Sequence, residues 1–158
     1  MAITISVLTL LALIYQLYLQ RVHNENSLKP LGQINLIDSK DEISVLLTNA
    51  GMGPLIIDSL IFIKEGKEHS TIAECLSLNQ RSYMHTIIDE VVKKVLLPNA
   101  DMKIFAKNVA KSTTEEADVI RQELASIGVK VNYRDIYRNR FSIERGLEWF
   151  SRYESEKA

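Results

Sequence analysis

The chain has 158 residues and a mass of 18.0 kDa, with 19 lysines and arginines against 20 acidic residues, 46% hydrophobic residues and one cysteine. This length supports one compact domain with an appendage and excludes a multidomain enzyme. The near-zero net charge argues against non-specific nucleic-acid binding. A single cysteine excludes an intrachain disulfide and a cysteine-based zinc site.

The first 20 residues form an uncharged apolar segment that predicts a membrane anchor. As a helix, residues 1–20 would span about 30 Å, which matches the hydrocarbon core of a bilayer. Tyr15 and Tyr18 lie near its end, where aromatic side chains favour the membrane interface. A cleaved signal peptide would have a basic residue before the apolar segment and a small-x-small site after it, and neither is present. A buried core helix would rarely stay uncharged over this length. We therefore predict a single-pass transmembrane anchor at residues 1–20.

Basic residues after the anchor determine its predicted orientation. Arg21 and Lys29 follow the apolar segment, whereas only the α-amino group precedes it. The positive-inside rule therefore places the C-terminal domain in the cytoplasm and the N-terminus outside. The unpaired Cys75 agrees with this orientation, because free thiols are commoner in reducing compartments.

One face of the anchor carries small and polar side chains typical of contacts between membrane helices. Ala2, Ser6, Thr9, Leu13, Gln16 and Gln20 are spaced as a heptad seam. Small and hydroxyl residues allow close approach, and an amide in a bilayer seeks a partner on another helix. We predict that Ser6, Thr9 and Gln16 bind a second copy or another membrane protein. In the alternative interpretation, the hydroxyls bond to carbonyls of their own helix and Gln16 extends to the interface.

The sequence after the anchor predicts a linker, an α+β domain and a charged tail. Residues 21–30 are polar and end in Pro30, so we place the linker there, the domain at 31–153 and the tail at 154–158. Alternating apolar residues predict strands near residues 34–36, 43–47, 55–64, 102–104, 129–133 and 141–149. The third of these is apolar on both faces, which is typical of a central or covered strand.

Two segments have the spacing of amphipathic helices. Apolar residues recur at helical intervals between Met84 and Val95, with Asp89 and Glu90 on the solvated face. A second helix is predicted to begin at the capping box Ser112–Glu115 and to end near residue 127. A capping box at residues 71–74 predicts a third, short helix.

A resemblance to bacterial single-pass membrane-anchored proteins is carried by residues 46–67, LLTNAGMGPLIIDSLIFIKEGK. Those proteins have an N-terminal helix and a small β-sandwich whose second strand often ends in a similar Asn-x-Gly-x-Gly-Pro turn, here Asn49–Pro54. A later strand pair is similar to VNYRDIYRNRF at residues 131–141. The resemblance implies an inner-membrane location. It also implies a fold in which a transmembrane helix precedes a mainly antiparallel, β-sandwich-like sheet with two or three packed helices. It transfers no catalytic residue.

The C-terminal region combines arginine and aromatic residues. Arginines at 134, 138, 140, 145 and 152 alternate with Tyr133, Tyr137, Phe141, Trp149, Phe150 and Tyr153. Because guanidinium groups and aromatic faces can together bind a nucleotide, we name Arg134, Tyr137, Arg138 and Arg140 as candidate ligand-binding residues. In the alternative interpretation, strand alternation buries the aromatics and leaves the arginines on a solvated face among acidic residues.

No catalytic motif is found in the sequence. His69, Cys75 and His85 could supply a nucleophile and a base or part of a metal site, but their spacing fits neither, and Cys75 fits a small buried hydrophobe. We predict no enzymatic activity, cofactor or metal, and we do not expect nucleic acid as a partner. The predicted function is a membrane-tethered module that binds a protein or a small ligand. The resemblance and the architecture suggest a membrane complex or a stress or phage-defence pathway. The alternative is an anchored sensor of an anionic ligand such as a nucleotide.

Overall fold

The computed structural model of the chain describes residues 2–88 and 94–152. The helices are α1 (Ala2–Ser27) and α2 (Thr114–Ala125). The strands are β1 (Gly32–Asp38), β2 (Glu42–Asn49), β3 (Leu55–Lys64), β4 (Lys67–His69), β5 (Met84–His85), β6 (Lys94–Leu96), β7 (Asp101–Asn108), β8 (Ile127–Arg134) and β9 (Arg140–Gly146). Short 3₁₀ helices cover Ile72–Glu74, Gln80–Ser82 and Glu148–Ser151.

Helix α1 is long, apolar and without a buried residue. Its 26 residues correspond to a length of about 39 Å. Within the described residues it is the one helix long and apolar enough to cross a membrane. The helix continues through Ser27, so most of the linker that we expected at residues 21–30 is helical. The Nε of Arg21 donates to Glu25 Oε1 at 2.9 Å, an i,i+4 pair that stabilises these last turns.

The strands form two antiparallel sheets that share one core. One sheet has the order β1–β2–β7–β5, and the other has the order β4–β3–β8–β9, with β6 also paired to β3. Strand β3 pairs with β8 along one side and with β4 and β6 along the other, which confirms its predicted central position. The core contains side chains of both sheets, among them Leu47, Phe62, Phe105 and Val131.

Helix α2 packs its apolar face against this core. Its N-cap is Thr113, whose Oγ1 accepts from Glu116 N at 3.2 Å, while Glu116 Oε2 accepts from Thr113 N at 3.0 Å. This capping box lies one residue after the predicted one at Ser112–Glu115. The helix buries Ala117, Ile120 and Leu124.

The predicted middle helix is wrong in the part that the structure describes. Met84–His85 is strand β5, which pairs with β7, and Lys94–Leu96 is strand β6, which pairs with β3. The centre of the predicted helix, with Asp89 and Glu90, lies outside the described residues. The β-branched side chains of this segment restrict helix formation and favour strands, so the available sheet edges prevail over the helical spacing.

The last strand is shorter than the predicted one. Strand β9 ends at Gly146, and Trp149 lies in the 3₁₀ helix Glu148–Ser151, so the odd-numbered positions do not continue as a strand. The helix expected at residues 71–74 is likewise a 3₁₀ helix, Ile72–Glu74. Of the two or three packed helices that we predicted, the described part of the domain contains one α-helix, α2.

Candidate functional site

The candidate ligand-binding residues belong to the hairpin of β8 and β9. Side chains along β8 alternate between buried and half-buried, so Arg134 lies on the outer face of the sheet. Arg134 lies opposite Arg140 in the strand register, and Asn132 lies opposite Ser142. The hairpin inferred from residues 131–141 is therefore present, and its Arg134 and Arg140 lie on the outer face.

The aromatic residues of the hairpin belong to the core. Tyr133 is buried and stacks with Phe141, with 5.5 Å between ring centroids. The Tyr133 hydroxyl accepts from Gly32 N at 3.2 Å, which joins the hairpin to the first strand of the other sheet. At this position the chain thus follows the alternative interpretation, in which alternation separates core aromatics from surface arginines.

A buried aspartate shapes the turn between the two strands. Asp135 is 1% exposed, and its Oδ1 accepts from the backbone N–H groups of Tyr137 and Asn139, both at 2.8 Å. Its Oδ2 accepts from Asn139 Nδ2 at 2.8 Å. The turn places Tyr137 and Arg138 at its tip, where Arg138 has a φ of 70°. This role of Asp135 was not predicted from the sequence, although aspartate and asparagine flanking a short loop are typical of side chains that bond to turn backbone.

Arg134 and Arg140 line a shallow depression on the outer face of β3, β8 and β9. Its volume is about 810 Å³, and Asp58, Asn132 and Ser142 also line it. The Nε of Arg134 lies 3.6 Å from Asp58 Oδ1. Arg140 is exposed and forms no ion pair with any other described residue. Among the described residues, the depression therefore presents one guanidinium group in an ion pair, Arg134, and one outside any ion pair, Arg140.

A β-bulge brings Asp58 to this depression. The register of β3 against β8 shifts between Ile57 and Ser59, so Asp58 has no partner in β8. An inserted residue of this kind redirects its side chain relative to the pleat. Next to it, Asn132 Nδ2 donates to Ser59 Oγ at 2.9 Å, which holds the amide in place on the outer face.

The four predicted ligand-binding residues do not form one site. Tyr137 lines a separate cleft of about 260 Å³ with Leu17, Gln20 and Arg21 of α1. Arg138 lies at the exposed tip of the same turn and lines neither this cleft nor the depression. The structure therefore places Arg134 and Arg140 in one depression, Tyr137 in a separate cleft and Arg138 at the turn between them, and ligand binding by these residues stays a prediction.

Other members of the arginine and aromatic cluster stabilise the fold. Arg152 donates to Asp38 Oδ2 and Arg121 to Asp38 Oδ1, each at 2.9 Å, and the Asp38 side chain is 2% exposed. The Arg152 guanidinium also lies 3.4 Å from the centroid of the Trp149 ring. Arg145 donates to the carbonyl oxygen of Ile34. These contacts join β1, α2, β9 and the last 3₁₀ helix.

The turn Asn49–Pro54 fixes the exit of α1. Asn49 is fully buried, and its Oδ1 accepts from Leu31 N at 3.2 Å and from Gly51 N at 3.1 Å. Its Nδ2 donates to Gly53 O at 2.8 Å and to Leu96 O at 3.0 Å. A single side chain thus joins the segment after α1, the turn after β2 and the end of β6.

Both glycines of this turn are required by close backbone approach. A Cβ at Gly53 would overlap the carbonyl oxygen of Leu28, and one at Gly51 would overlap the backbone of residues 29–31. Only glycine lets the turn lie this close to the chain that leaves α1. The Asn-x-Gly-x-Gly-Pro motif therefore holds the chain that follows α1 against the domain.

Cys75 and the histidines show no arrangement for thiol chemistry. Cys75 is buried in the core, and burial raises the pKa of its thiol, which keeps it protonated. His69 Nδ1 lies 3.4 Å from Glu74 Oε2, and the His85 ring contacts Tyr83. Over residues 2–88 and 94–152, no group of three or more His, Cys, Asp and Glu side chains could hold a metal ion.

The hydroxyl groups in the predicted seam of α1 form hydrogen bonds within their own helix. Ser6 Oγ donates to Ala2 O at 3.0 Å, and Thr9 Oγ1 donates to Ile5 O at 2.9 Å. Gln16 is exposed on the helix surface. These bonds match the alternative interpretation of the seam, and association through Ser6, Thr9 and Gln16 stays a prediction.

Three of the four candidate ligand-binding residues therefore lie in two regions of the described surface. One is the depression around Arg134 and Arg140, and the other is the end of the domain where Tyr137 lies beside α1. Comparisons of the chain with protein-family models, with curated proteins and with solved structures found no match.

Proposed function

We propose that this chain is a single-pass protein of a bacterial inner membrane and that its domain is a non-enzymatic interaction module. The length and the uncharged composition of α1 support a transmembrane anchor. Arg21 and Lys29 support a cytoplasmic domain. The resemblance of residues 46–67 supports a bacterial protein with a β-sandwich-like arrangement of the two sheets, and a role in a membrane complex or a stress or phage-defence pathway.

The observation that carries the binding role is the depression around Arg134 and Arg140. It presents guanidinium, carboxylate, amide and hydroxyl groups side by side on an open surface. Guanidinium groups are enriched in protein interfaces and form bidentate bonds to carboxylates. An acidic segment of a protein partner suits this surface, because Arg140 offers donors that no other described residue occupies.

A sensor of an anionic ligand is the second candidate. Arg134 and Arg140 lie directly opposite each other across β8 and β9. Of these two arginines, Arg134 forms an ion pair with Asp58. Like charges in opposite positions of a sheet repel each other. A phosphate or carboxylate group between them would neutralise this repulsion and accept charge-assisted hydrogen bonds from both.

A calorimetric titration distinguishes the sensor from the interaction module. Full-length protein in nanodiscs is titrated with ATP, GTP and inorganic polyphosphate. If the chain is a sensor, one of these anions should bind at micromolar concentration, and Arg140→Ala should weaken binding at least tenfold. Lys130→Ala is the matched control, because Lys130 lies on the same outer face opposite Glu144 and outside the depression. Absence of binding by all three anions contradicts the nucleotide sensor.

A photo-crosslinking residue tests the interaction module itself. We expect a photoreactive amino acid at Ser142, inside the depression, to give a discrete adduct in cells that express the chain. The same residue at Glu65, in the turn between β3 and β4, should give none. Arg140→Glu should abolish the adduct, because it reverses the charge that an acidic partner would contact. Equal crosslinking from both positions would contradict a binding surface at β8 and β9.

A further inference from the structure

The turns nearest to α1 all lie at one end of the domain. This helix-proximal end comprises residues 28–31, 50–54, 97–100 and 135–139. Strand β3 begins there, and both β6 and β8 end there, as the pairs Leu55–Leu96 and Ile56–Arg134 show. The bonds of Asn49 join residues 31, 53 and 96 at the same place.

This end exposes a set of large apolar side chains. The exposed fractions are 60% for Leu31, 71% for Met52, 62% for Leu97, 48% for Ile136 and 40% for Tyr137. At the opposite end, the turns at residues 39–41 and 65–66 contain only Ser, Lys, Asp, Glu and Gly. The exposed Trp149, which follows β9 at that end, lies under the Arg152 guanidinium. Single exposed apolar residues are ordinary, but their concentration on the turns of one end indicates a surface that contacts something apolar.

The position of Tyr137 beside α1 indicates the depth of this end. Tyr137 lines a cleft with Leu17 and Gln20, which lie within the predicted span, and with Arg21, which lies just after it. Tyr15 and Tyr18 occupy the same part of the helix. The turn at residues 135–139 therefore lies at the level where the anchor would leave the hydrocarbon core.

The charges of this end suit anionic headgroups. Lys29 and Arg138 are exposed there. The nearby acids are largely occupied, because Asp135 is buried in turn bonds and Glu25 pairs with Arg21. Asp101 is exposed at this end but accepts from Thr48 Oγ1 at 2.6 Å. Basic residues close to a membrane surface are attracted to anionic lipid.

We propose that the helix-proximal end rests on the headgroup layer of the membrane that α1 spans. Ile136 and Tyr137 enter the interface, and Lys29 and Arg138 contact anionic phospholipid headgroups, whereas Arg140 belongs to the depression. This proposal rests on the membrane anchor proposed above, and it adds a second contact that holds the domain in one orientation to the bilayer.

Depth-dependent fluorescence quenching tests this contact on the full-length chain in nanodiscs. A bimane label on Ile136→Cys should be quenched at least twofold by lipids that carry a nitroxide at the headgroup. The label on Glu65→Cys, at the opposite end, should be unaffected. Cys75 can remain, because it is 2% exposed and burial raises the pKa of its thiol. Labelling of the unmodified protein, which should take up no bimane, checks that Cys75 does not react.

The outcomes separate the headgroup contact from the anchor. Co-elution of the chain with nanodiscs reports insertion of α1 independently of the label. Equal quenching at positions 136 and 65 in an inserted chain would overturn the contact. Arg138→Glu should reduce the quenching of the Ile136→Cys label in discs with anionic lipid, with a smaller effect in neutral discs. If the Ile136→Cys label is quenched equally with and without Arg138→Glu in anionic discs, the electrostatic part of the proposal is overturned.

Discussion

The buried side chain of Asn49 forms four hydrogen bonds. They join three separate parts of the backbone, at residue 31, at residues 51–53 and at residue 96. Removal of this side chain would leave two backbone N–H groups and two carbonyls to find new partners in a buried place. This cost differs from that of an ordinary surface amide, because three of the four bonds are buried away from water.

We expect Asn49→Ala to lower the free energy of unfolding by about 2–4 kcal/mol. Asn35→Ala is the matched control, because Asn35 donates one half-buried bond to Thr48 Oγ1 at 2.7 Å, and it should cost about 1 kcal/mol. Urea denaturation of the full-length protein in detergent measures both values. Similar losses in the two variants would show that the Asn49 bonds are replaced by water.

Asp38 gives a second prediction at the residue scale. Because its nearly buried carboxylate binds Arg121 and Arg152, Asp38→Ala would leave two guanidinium groups without that partner. We expect a loss of about 2–4 kcal/mol of stability, less than for a fully buried pair since both arginines are partly exposed. Asp41→Ala, at an exposed turn, should change stability by about 0.5 kcal/mol or less. Thermal unfolding compares the two, and equal shifts in Tm would contradict the role of Asp38.

At the scale of elements, the turn after β2 determines how α1 meets the sheets. Gly53→Ala would place a methyl group against the carbonyl of Leu28, and backbone cannot yield as a flexible side chain does. We expect a loss of about 1–3 kcal/mol or more, together with a change in the Tyr137 environment beside α1. Gly128→Ala is the control, since its Cβ would lie 3.6 Å from Ile63 Cβ, an ordinary contact. Denaturation measures the loss of stability, and tyrosine fluorescence measures the change in the Tyr137 environment.

The sequence predicts most strands because one of their faces is buried. Period-two alternation identifies β1, β2 and β8, and the apolar run of β3 identifies a central strand. The prediction of a middle helix is wrong in its described part because isoleucine and valine at helical spacing also suit short edge strands. The choice between helix and strand depends on the presence of β3 and β7, with which these strands pair.

The candidate site is predictable only in part, for a geometric reason. Strand alternation places Arg134 and Arg140 on one outer face once the hairpin is known. The contribution of Asp58 depends on a bulge in a strand that precedes β8 by some 70 residues, and no local pattern marks it. The separation of Tyr137 from the arginines likewise depends on where α1 lies.

For the whole molecule, the first prediction concerns topology. A reporter fused after Ala158 should be active if it requires the cytoplasm and silent if it requires the periplasm, because Arg21 and Lys29 favour the inner side. Replacing both with glutamate should increase the fraction with the opposite orientation. Activity of the periplasmic reporter in the unmodified chain would overturn the proposed orientation.

The second whole-molecule prediction concerns self-association. If Ser6, Thr9 and Gln16 face a second copy, Gln16→Leu should weaken dimerisation several-fold, since an interhelical amide bond contributes about 1 kcal/mol. Tyr15→Leu, about 100° around the helix, should change it less. Förster transfer between labelled copies in vesicles measures the constant. An unchanged constant in Gln16→Leu would show that the seam does not mediate association.

The continuous helix through Ser27 also gives the domain a defined angle about the helix axis. Each residue inserted between positions 21 and 27 would turn the domain by about 100° and raise it by about 1.5 Å. Because the chain after Ser27 is held by Asn49 and the Gly51–Gly53 turn, this rotation would be transmitted to both sheets. If α1 spans a bilayer as proposed, the number of residues between the bilayer and the domain sets the direction in which the domain faces. In a dimer it would also decide whether Arg134 and Arg140 of the two copies face each other or point apart.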